Sequence, residues 1–274
     1  MIIKDKISLI TNDVETTSLI NHKLSKKTGE YVLKQGMPRL LNLYQKYNIK
    51  STFFFTGHIA KLYPDIVKMI IPYGHEIGSH GLNHEVNNSF DLLSYDKQLK
   101  NLKSSKDILE NISGDEVISF RAPAARVNKN TSRALIESGF KIDSSISSQR
   151  FDMMFSFGSL KKLNWIFAPR LPYFTKLDNI FKKGNSNLLE IPITALIFPY
   201  IGTFMRIFPF INSLNRNILY LETLLNYRPF VFLTHPNEFI DEKKIIKKID
   251  SRTKNKLSYF FGDFLKCRAN SLSI

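Results

Sequence analysis

The chain has one cysteine in 274 residues, so it can form no intrachain disulfide, and a reducing compartment is the simpler setting. It also lacks a long apolar run. The N-terminal Met1-Ile2-Ile3-Lys4-Asp5-Lys6 has neither the hydrophobic stretch nor the small-residue cleavage site of a secretory signal. The most apolar segment, residues 195–210, is shorter than the roughly 20 residues that span a bilayer. Pro199, Arg206 and Pro209 interrupt it. No close repeat and no low-complexity linker is present. Acidic residues are scarce beside basic ones, 24 against 39, giving a net charge of +15. Such an excess favours an anionic partner, whether nucleic acid, membrane surface or phosphorylated substrate, without choosing among them. What is present suits an ordinary folded domain. Hydrophobic residues are 43% and charged residues 23%, which excludes disorder and fibres.

Apolar β-type runs alternate with amphipathic stretches. Strands are expected over 7–11, 51–55, 75–79, 117–120, 140–142, 189–193 and 230–233. Helices are expected from Pro38 through Leu40, Leu41, Leu43 and Tyr44, and over 64–73, 91–112, 131–138 and 214–225. The alternation implies right-handed crossovers and a mostly parallel sheet. With about seven such units, a closed or nearly closed α/β barrel leads, and an open doubly wound sheet is the alternative.

Polar residues able to do chemistry fall where these strands end. Asp13 and Glu15 flank Val14 after the first strand and can share a barrel mouth. His80 and His84 follow the third strand, and their spacing puts both imidazoles on one face if the segment is helical. Two histidines and a carboxylate suit a catalytic rather than a structural zinc site. Arg121 and Pro123 follow the fourth strand, where the guanidinium could hold Asp13 ionised. Asp143 ends the fifth strand and could orient and charge His235, which follows the last strand as a candidate general acid.

Read together, the ordered motifs Asp13/Glu15, His80/His84, Arg121/Pro123, Asp143 and Leu233/His235 resemble those of the polysaccharide deacetylases, the NodB-homology or carbohydrate esterase family 4 group, over residues 7–240. The stretches around Asp13 and over 36–57 look like the branch that contains the formamido-arabinose-phosphoundecaprenol deformylases. The resemblance implies a single-domain distorted (β/α)7 barrel over residues 1–242, with an insertion at about 150–215 and a divergent, helical 243–274. It implies a divalent metal, usually zinc, and hydrolysis of an N-acyl group, acetyl or formyl, on an amino sugar. By the same resemblance Asp13 is the general base and Glu15, His80 and His84 are the metal ligands. Arg121 tethers Asp13, His235 is the general acid, and Asp143 sets its charge. Leu233 and Pro123 line the substrate side, and Ala124 offers its N–H to the oxyanion. Two features depart from the common pattern: Val14 separates an acidic pair that is usually adjacent, and Ala124 stands where an aromatic is frequent.

The branch acts on an amino sugar carried by a polyprenyl phosphate, which would explain the +15 charge. Lys161, Lys162, Arg170, Lys176, Lys182, Lys183 and Arg206 lie among Trp165, Phe167, Tyr173, Phe174 and Phe181. This mixture suits a lip resting on an anionic membrane, placing the protein at the inner face of the cytoplasmic membrane. An extra layer of core is the alternative for the same residues. A soluble or polymeric glycan is the alternative substrate. A non-enzymatic basic barrel binding membrane or nucleic acid is the competing class, and no nucleic acid is expected because every catalytic position is filled.

Overall fold

The computed structural model describes residues 6–15, 26–150 and 164–240. In chain order the strands are β1 (Ser8–Val14), β2 (Ser51–Phe55), β3 (Glu76–Ser79), β4 (Ser119–Phe120), β5 (Ile142–Asp143), β6 (Tyr173–Lys176), β7 (Asn179–Lys183), β8 (Leu189–Glu190), β9 (Ala195–Leu196), β10 (Phe198–Pro199) and β11 (Phe230–Thr234). The helices are α1 (Lys26–Tyr31), α2 (Met37–Lys46), α3 (Gly57–Leu62), α4 (Pro64–Lys68), α5 (Tyr95–Ser113), α6 (Thr131–Glu137), α7 (Asn164–Phe167), α8 (Gly202–Ile207) and α9 (Pro209–Asn226).

Seven strands run parallel in the order β11-β1-β2-β3-β4-β5-β8. The chain after β8 returns to the other edge. There the Thr194 N–H donates to the Val231 carbonyl at 3.3 Å, and the Val231 N–H donates to Thr194 Oγ1 at 2.8 Å. Ile201 also bridges Leu233 in parallel. Seven parallel strands whose seam is closed by isolated contacts rather than a ladder make the expected distorted (β/α)7 barrel. Strand alternation divides its residues. Phe53 and Phe55 of β2 are buried together with Leu40, Leu41, Ile59, Ile66, Leu102 and Leu109 of the helices. Burial of each such side chain is worth roughly 1.5–3 kcal/mol. Pro38 sits in the first turn of α2, where its missing N–H costs nothing.

Two helices differ from the sequence expectation for identifiable reasons. The helix expected from residue 91 starts at Tyr95, because Gln98 Nε2 and Asn128 Nδ2 donate to the Phe90 and Leu93 carbonyls and fold 90–93 into a turn. The helix expected over 64–73 ends at Lys68. A 3-10 turn, Ile71–Tyr73, follows it, and Pro72 has no N–H with which to continue an α-helix.

The span 150–215 departs more. It contains the barrel strand β8 and a hairpin, β6–β7, paired antiparallel to β8. In β6, Tyr173 and Thr175 are buried and Phe174 and Lys176 exposed, a period of two that marks a strand with one covered face. Trp165, Tyr173 and Phe181, expected on a membrane-facing lip, are therefore core residues; Phe167 and Phe174 are exposed. Arg170 and Arg206 are engaged with Glu222 and Glu238. Lys161, Lys162, Cys267 and the extension 243–274 lie outside the described residues.

Candidate active site

Because β1 alternates, Asp13 and Glu15 project to the same side at its C-terminal end while Val14 enters the core. Both carboxylates are buried, Asp13 at 5% and Glu15 at 8% exposure. His80 follows β3 directly. The segment carrying His80 and His84 is a loop, not the helix expected from the spacing. Gly81 turns it at φ 69°, a conformation that glycine enters without steric cost. The Gly57 and His58 N–H groups hold it by donating to the Gly81 and Leu82 carbonyls. The two imidazoles nevertheless converge, with ring centroids 5.7 Å apart.

Donor atoms of Glu15, His80 and His84 all lie within 4.8 Å of one another. Glu15 Oε2 is buried without a hydrogen bond and stands 3.1 Å from His84 Nε2. Nitrogen and oxygen ligands on one tetrahedral zinc lie about 3.4 Å apart, so the cluster has the size and the donor chemistry of a divalent-metal site. His80 supplies a further sign. Its Nδ1 stands 2.7 Å from the Arg121 carbonyl, an acceptor only, so Nδ1 carries the proton and Nε2 keeps its lone pair for the cluster. Burial, opposed by the charges of Asp13 and Glu15, holds the His80 pKa below the usual histidine value, which keeps the neutral ligand form.

Arg121 is the hub of the mouth. Its Nη1 donates to Asp13 Oδ1 at 3.1 Å and to Thr11 Oγ1 at 2.8 Å. Nε and Nη2 donate to the Ser144 carbonyl and hydroxyl, and the guanidinium stacks 4.4 Å from the Phe54 ring centroid. The expected tether between Arg121 and Asp13 is thus present. Burial alone would raise the Asp13 pKa, but His80, Arg121 and His235 outweigh it and hold the carboxyl below the ordinary value. Glu15 is likewise held low, against burial, by His84, His235 and His80.

His235 follows β11, and its Nδ1 lies 3.2 Å from Glu238 Oε1. Asp143, expected to orient and charge His235, stands elsewhere. It faces Glu190 across the β5–β8 register and accepts from Ser145 Oγ at 2.6 Å. The carboxylate at His235 is Glu238, which sequence reasoning missed. Its signal was the His-Pro-Asn-Glu turn, where the 3-10 helix Pro236–Phe239 brings positions 235 and 238 together. Thr203, Thr234 and Arg206 complete the cage around Glu238. Gly202 is required beside it, since a Cβ there would lie 2.2 Å from Glu238 Oε2. Burial opposes ionisation, but the His235 hydrogen bond and the Arg206 charge hold Glu238 down at about 2. His235 is buried as well, yet Glu238, Asp13 and Glu15 together raise its pKa above the ordinary value.

Asp143 and Glu190 form a different kind of pair. Both are fully buried, and burial together with the Asp143 charge pushes Glu190 well up, so Glu190 keeps a proton. Ser145, which donates to Asp143, also accepts the Ala122 N–H, tying the pair to the loop that carries Arg121. Pro123 is buried in that loop, while Ala124 is exposed at its rim with φ 52° and ψ 22°. A left-handed alanine costs roughly 1–2 kcal/mol, strain of the kind found at working loops. Leu233 of β11 is 9% exposed and lies two residues before His235, which follows the strand.

Known proteins resemble parts of this chain. A peptidoglycan deacetylase from Helicobacter pylori is 32% identical over 123 residues, 45% of this chain and 41% of that protein. A peptidoglycan-N-acetylglucosamine deacetylase from Bacillus cereus is 29% identical over 105 residues, 38% of this chain and 37% of that one. The chain thus spans about two fifths of the length of these curated relatives. A solved Mycobacterium smegmatis structure assigned as a polysaccharide deacetylase superposes with a TM-score of 0.61 at 22% identity, covering 86% of this chain and 80% of its own, which supports the fold. The family model for polysaccharide deacetylase matches residues 27–142, a span that includes His80, His84, Arg121 and Pro123. Asp13, Glu15, Asp143 and His235 lie outside that span and are joined to it by the geometry above. Residues 27–142 therefore match the polysaccharide deacetylase family, within a fold shared with the solved structure.

Proposed function

We propose that the protein is a metal-dependent amide hydrolase that removes an N-acyl group from an amino sugar. The observation that carries the reading is the mouth itself: a three-donor cluster suited to a metal, with an Arg121-held carboxylate beside it and a Glu238-held histidine just after β11. A divalent cation held by Glu15, His80 and His84, with zinc best suited to that donor set, would polarise the amide carbonyl and acidify a water.

The chain's own groups supply the proton transfers. Arg121 occupies Asp13 Oδ1, which leaves Oδ2 to accept the proton of the attacking water. His235 is held by Glu238 through Nδ1, so Nε2 is the atom that delivers a proton to the departing amine. Its raised pKa keeps imidazolium populated near neutrality, as a general acid requires. The rim position of Ala124 suits its N–H as an oxyanion donor. Leu233 is assigned to the pocket for the acyl group, acetyl or formyl. The Asp143–Glu190 pair holds the Ser144–Ser145 turn that positions Arg121.

The substrate reading extends to an amino sugar carried on a polyprenyl phosphate at the inner face of the cytoplasmic membrane, for cell-envelope modification. The apolar outer face of α9 supports a lipid-bound substrate. A polymeric glycan is the second reading, favoured by the peptidoglycan deacetylases among the relatives. The test is amine release from a polyprenyl-phosphate-linked N-acyl amino sugar and from an N-acetylated glycan oligomer, with metal content measured in parallel. Release from either substrate, abolished by Asp13→Asn, supports the hydrolase. Preference between the two decides the carrier. Release from neither by metal-loaded protein refutes the reading.

A further inference from the structure

Helix α9 is built inside out. Its buried positions are Asn212, Asn215, Leu219 and Thr223. Phe210, Ile211, Leu214, Ile218, Leu221 and Leu225 face outward, with exposures from 40% to 77%. At one residue per 100°, these six fall within an arc about 100° wide, the stripe a surface helix normally turns to the core. Polar contacts fix this orientation. Asn215 Nδ2 donates to the Phe198 carbonyl at 3.3 Å, and Glu222 accepts from Arg170 Nε at 2.6 Å and Arg228 Nη1 at 2.8 Å. Rotating the helix to bury its leucines would strip Glu222 from both arginines and strand Arg228, which is 1% exposed. The apolar face is therefore held outward by design of the pairs beneath it.

The net charge of the chain favours an anionic occupant. Glu222 is the only acidic residue of α9 and is already paired, while Arg216 stands exposed on the same helix. The whole chain carries +15. Tyr220 and Tyr227 are exposed on and just beyond the helix, a placement favoured at headgroup depth. No described helix is long and apolar enough to cross a membrane, so the stripe fits a helix lying in the interface plane. Its position also fits. Arg206 and Thr203 of the preceding α8 hold Glu238, the partner of His235, so the stripe starts beside the rim of the candidate active site.

We propose that α9 docks the protein on an anionic lipid surface. This deepens the lipid-linked reading above and rests on it for the substrate's route to the mouth, whereas docking itself requires no turnover. The test is co-sedimentation of the full chain with vesicles of phosphatidylglycerol and phosphatidylethanolamine, with phosphatidylcholine vesicles for comparison. The expected result is binding to the anionic vesicles that weakens about tenfold or more in Leu214→Glu/Leu221→Glu. That variant should keep the circular dichroism and the glycan-oligomer turnover of the unmodified chain. Should it misfold, Leu225→Ser, at the most exposed position of the stripe, gives the same comparison with a smaller loss. Equal binding by variant and parent, or no binding by the parent at low salt, overturns the proposal. A dimer that the variant abolishes, without vesicle binding, assigns the stripe to a second copy and overturns it as well. So does binding that emerges only when residues 241–274 are removed, which assigns the stripe to that segment. Vesicle binding without turnover of any substrate refutes the hydrolase and leaves docking standing.

Discussion

Two groups of buried carboxylates occupy neighbouring regions of the barrel and send their protons in opposite directions. At the mouth, Asp13, Glu15 and Glu238 face Arg121, His80, His84, His235 and Arg206, and all three are held ionised. On β5 and β8, Asp143 and Glu190 face each other, and both are pushed upward. Burial is severe in both places. Burial pushes every one of these acids upward, and only where neighbouring cations outweigh it do they stay charged. The first group can take or direct protons during a reaction, and the second locks one proton away and serves as a clasp for the Arg121 loop.

Substitutions at the two groups should separate them sharply. Asp13→Asn removes the proposed proton acceptor at the mouth, and turnover should fall by about 10²–10⁴-fold or more while metal binding is retained, as read by amine release and metal analysis. His235→Ala should leave metal bound and lower turnover by at least about 10²-fold; full activity would remove His235 from the mechanism. Glu238→Gln acts through His235. With its anion gone, the raised His235 pKa falls, and because the acid must be protonated, the basic limb of the pH–rate profile moves to lower pH. A limb that stays in place would mean another group controls it. The same variant removes the buried anion that faces Arg206 and should lower stability by on the order of 3–5 kcal/mol.

Stability should follow the same division with pH. Glu238, held at about 2 against an ordinary 4.5, contributes stability that is complete above the ordinary value and lost as pH falls toward 2. His235, held above 6.5, contributes stability that is complete below that value and lost as pH rises through its folded-state pKa. Thermal melts across this range check both limbs. The smallest effect is expected at the clasp. Glu190→Gln replaces an acid that already holds its proton with a neutral group of the same shape, so it should change stability by no more than about 1 kcal/mol. A large loss there would place a charge on Glu190 and collapse the comparison.

Much of the mouth was legible because its signals are local. Asp13 and Glu15 read from the alternation of a strand, His80 and His84 from their spacing, and Arg121 and His235 from their places after strands. The spacing succeeded for a reason other than the one supposed: a Gly81-turned loop, not a helix, brings the imidazoles together. The partners that tune these groups were not legible as partners. Glu190 lies far along the chain from Asp143, and only the β5–β8 register joins them. Glu238 lies near His235 in sequence, but the turn that unites them resembles any loop after a strand. Residues 173–183 failed differently. Their period of two was readable, but the lysines and aromatics were weighed as composition, which hid a hairpin with a buried face.

The central claim is that Glu15, His80 and His84 hold a metal on which N-acyl hydrolysis depends. The most direct measurement strips the protein with a chelator, titrates a divalent metal back, and follows bound ion and amine release together. The account predicts stoichiometric binding that restores release, and loss of both in His80→Ala. Release that survives chelation, or metal bound equally well without His80, would contradict it.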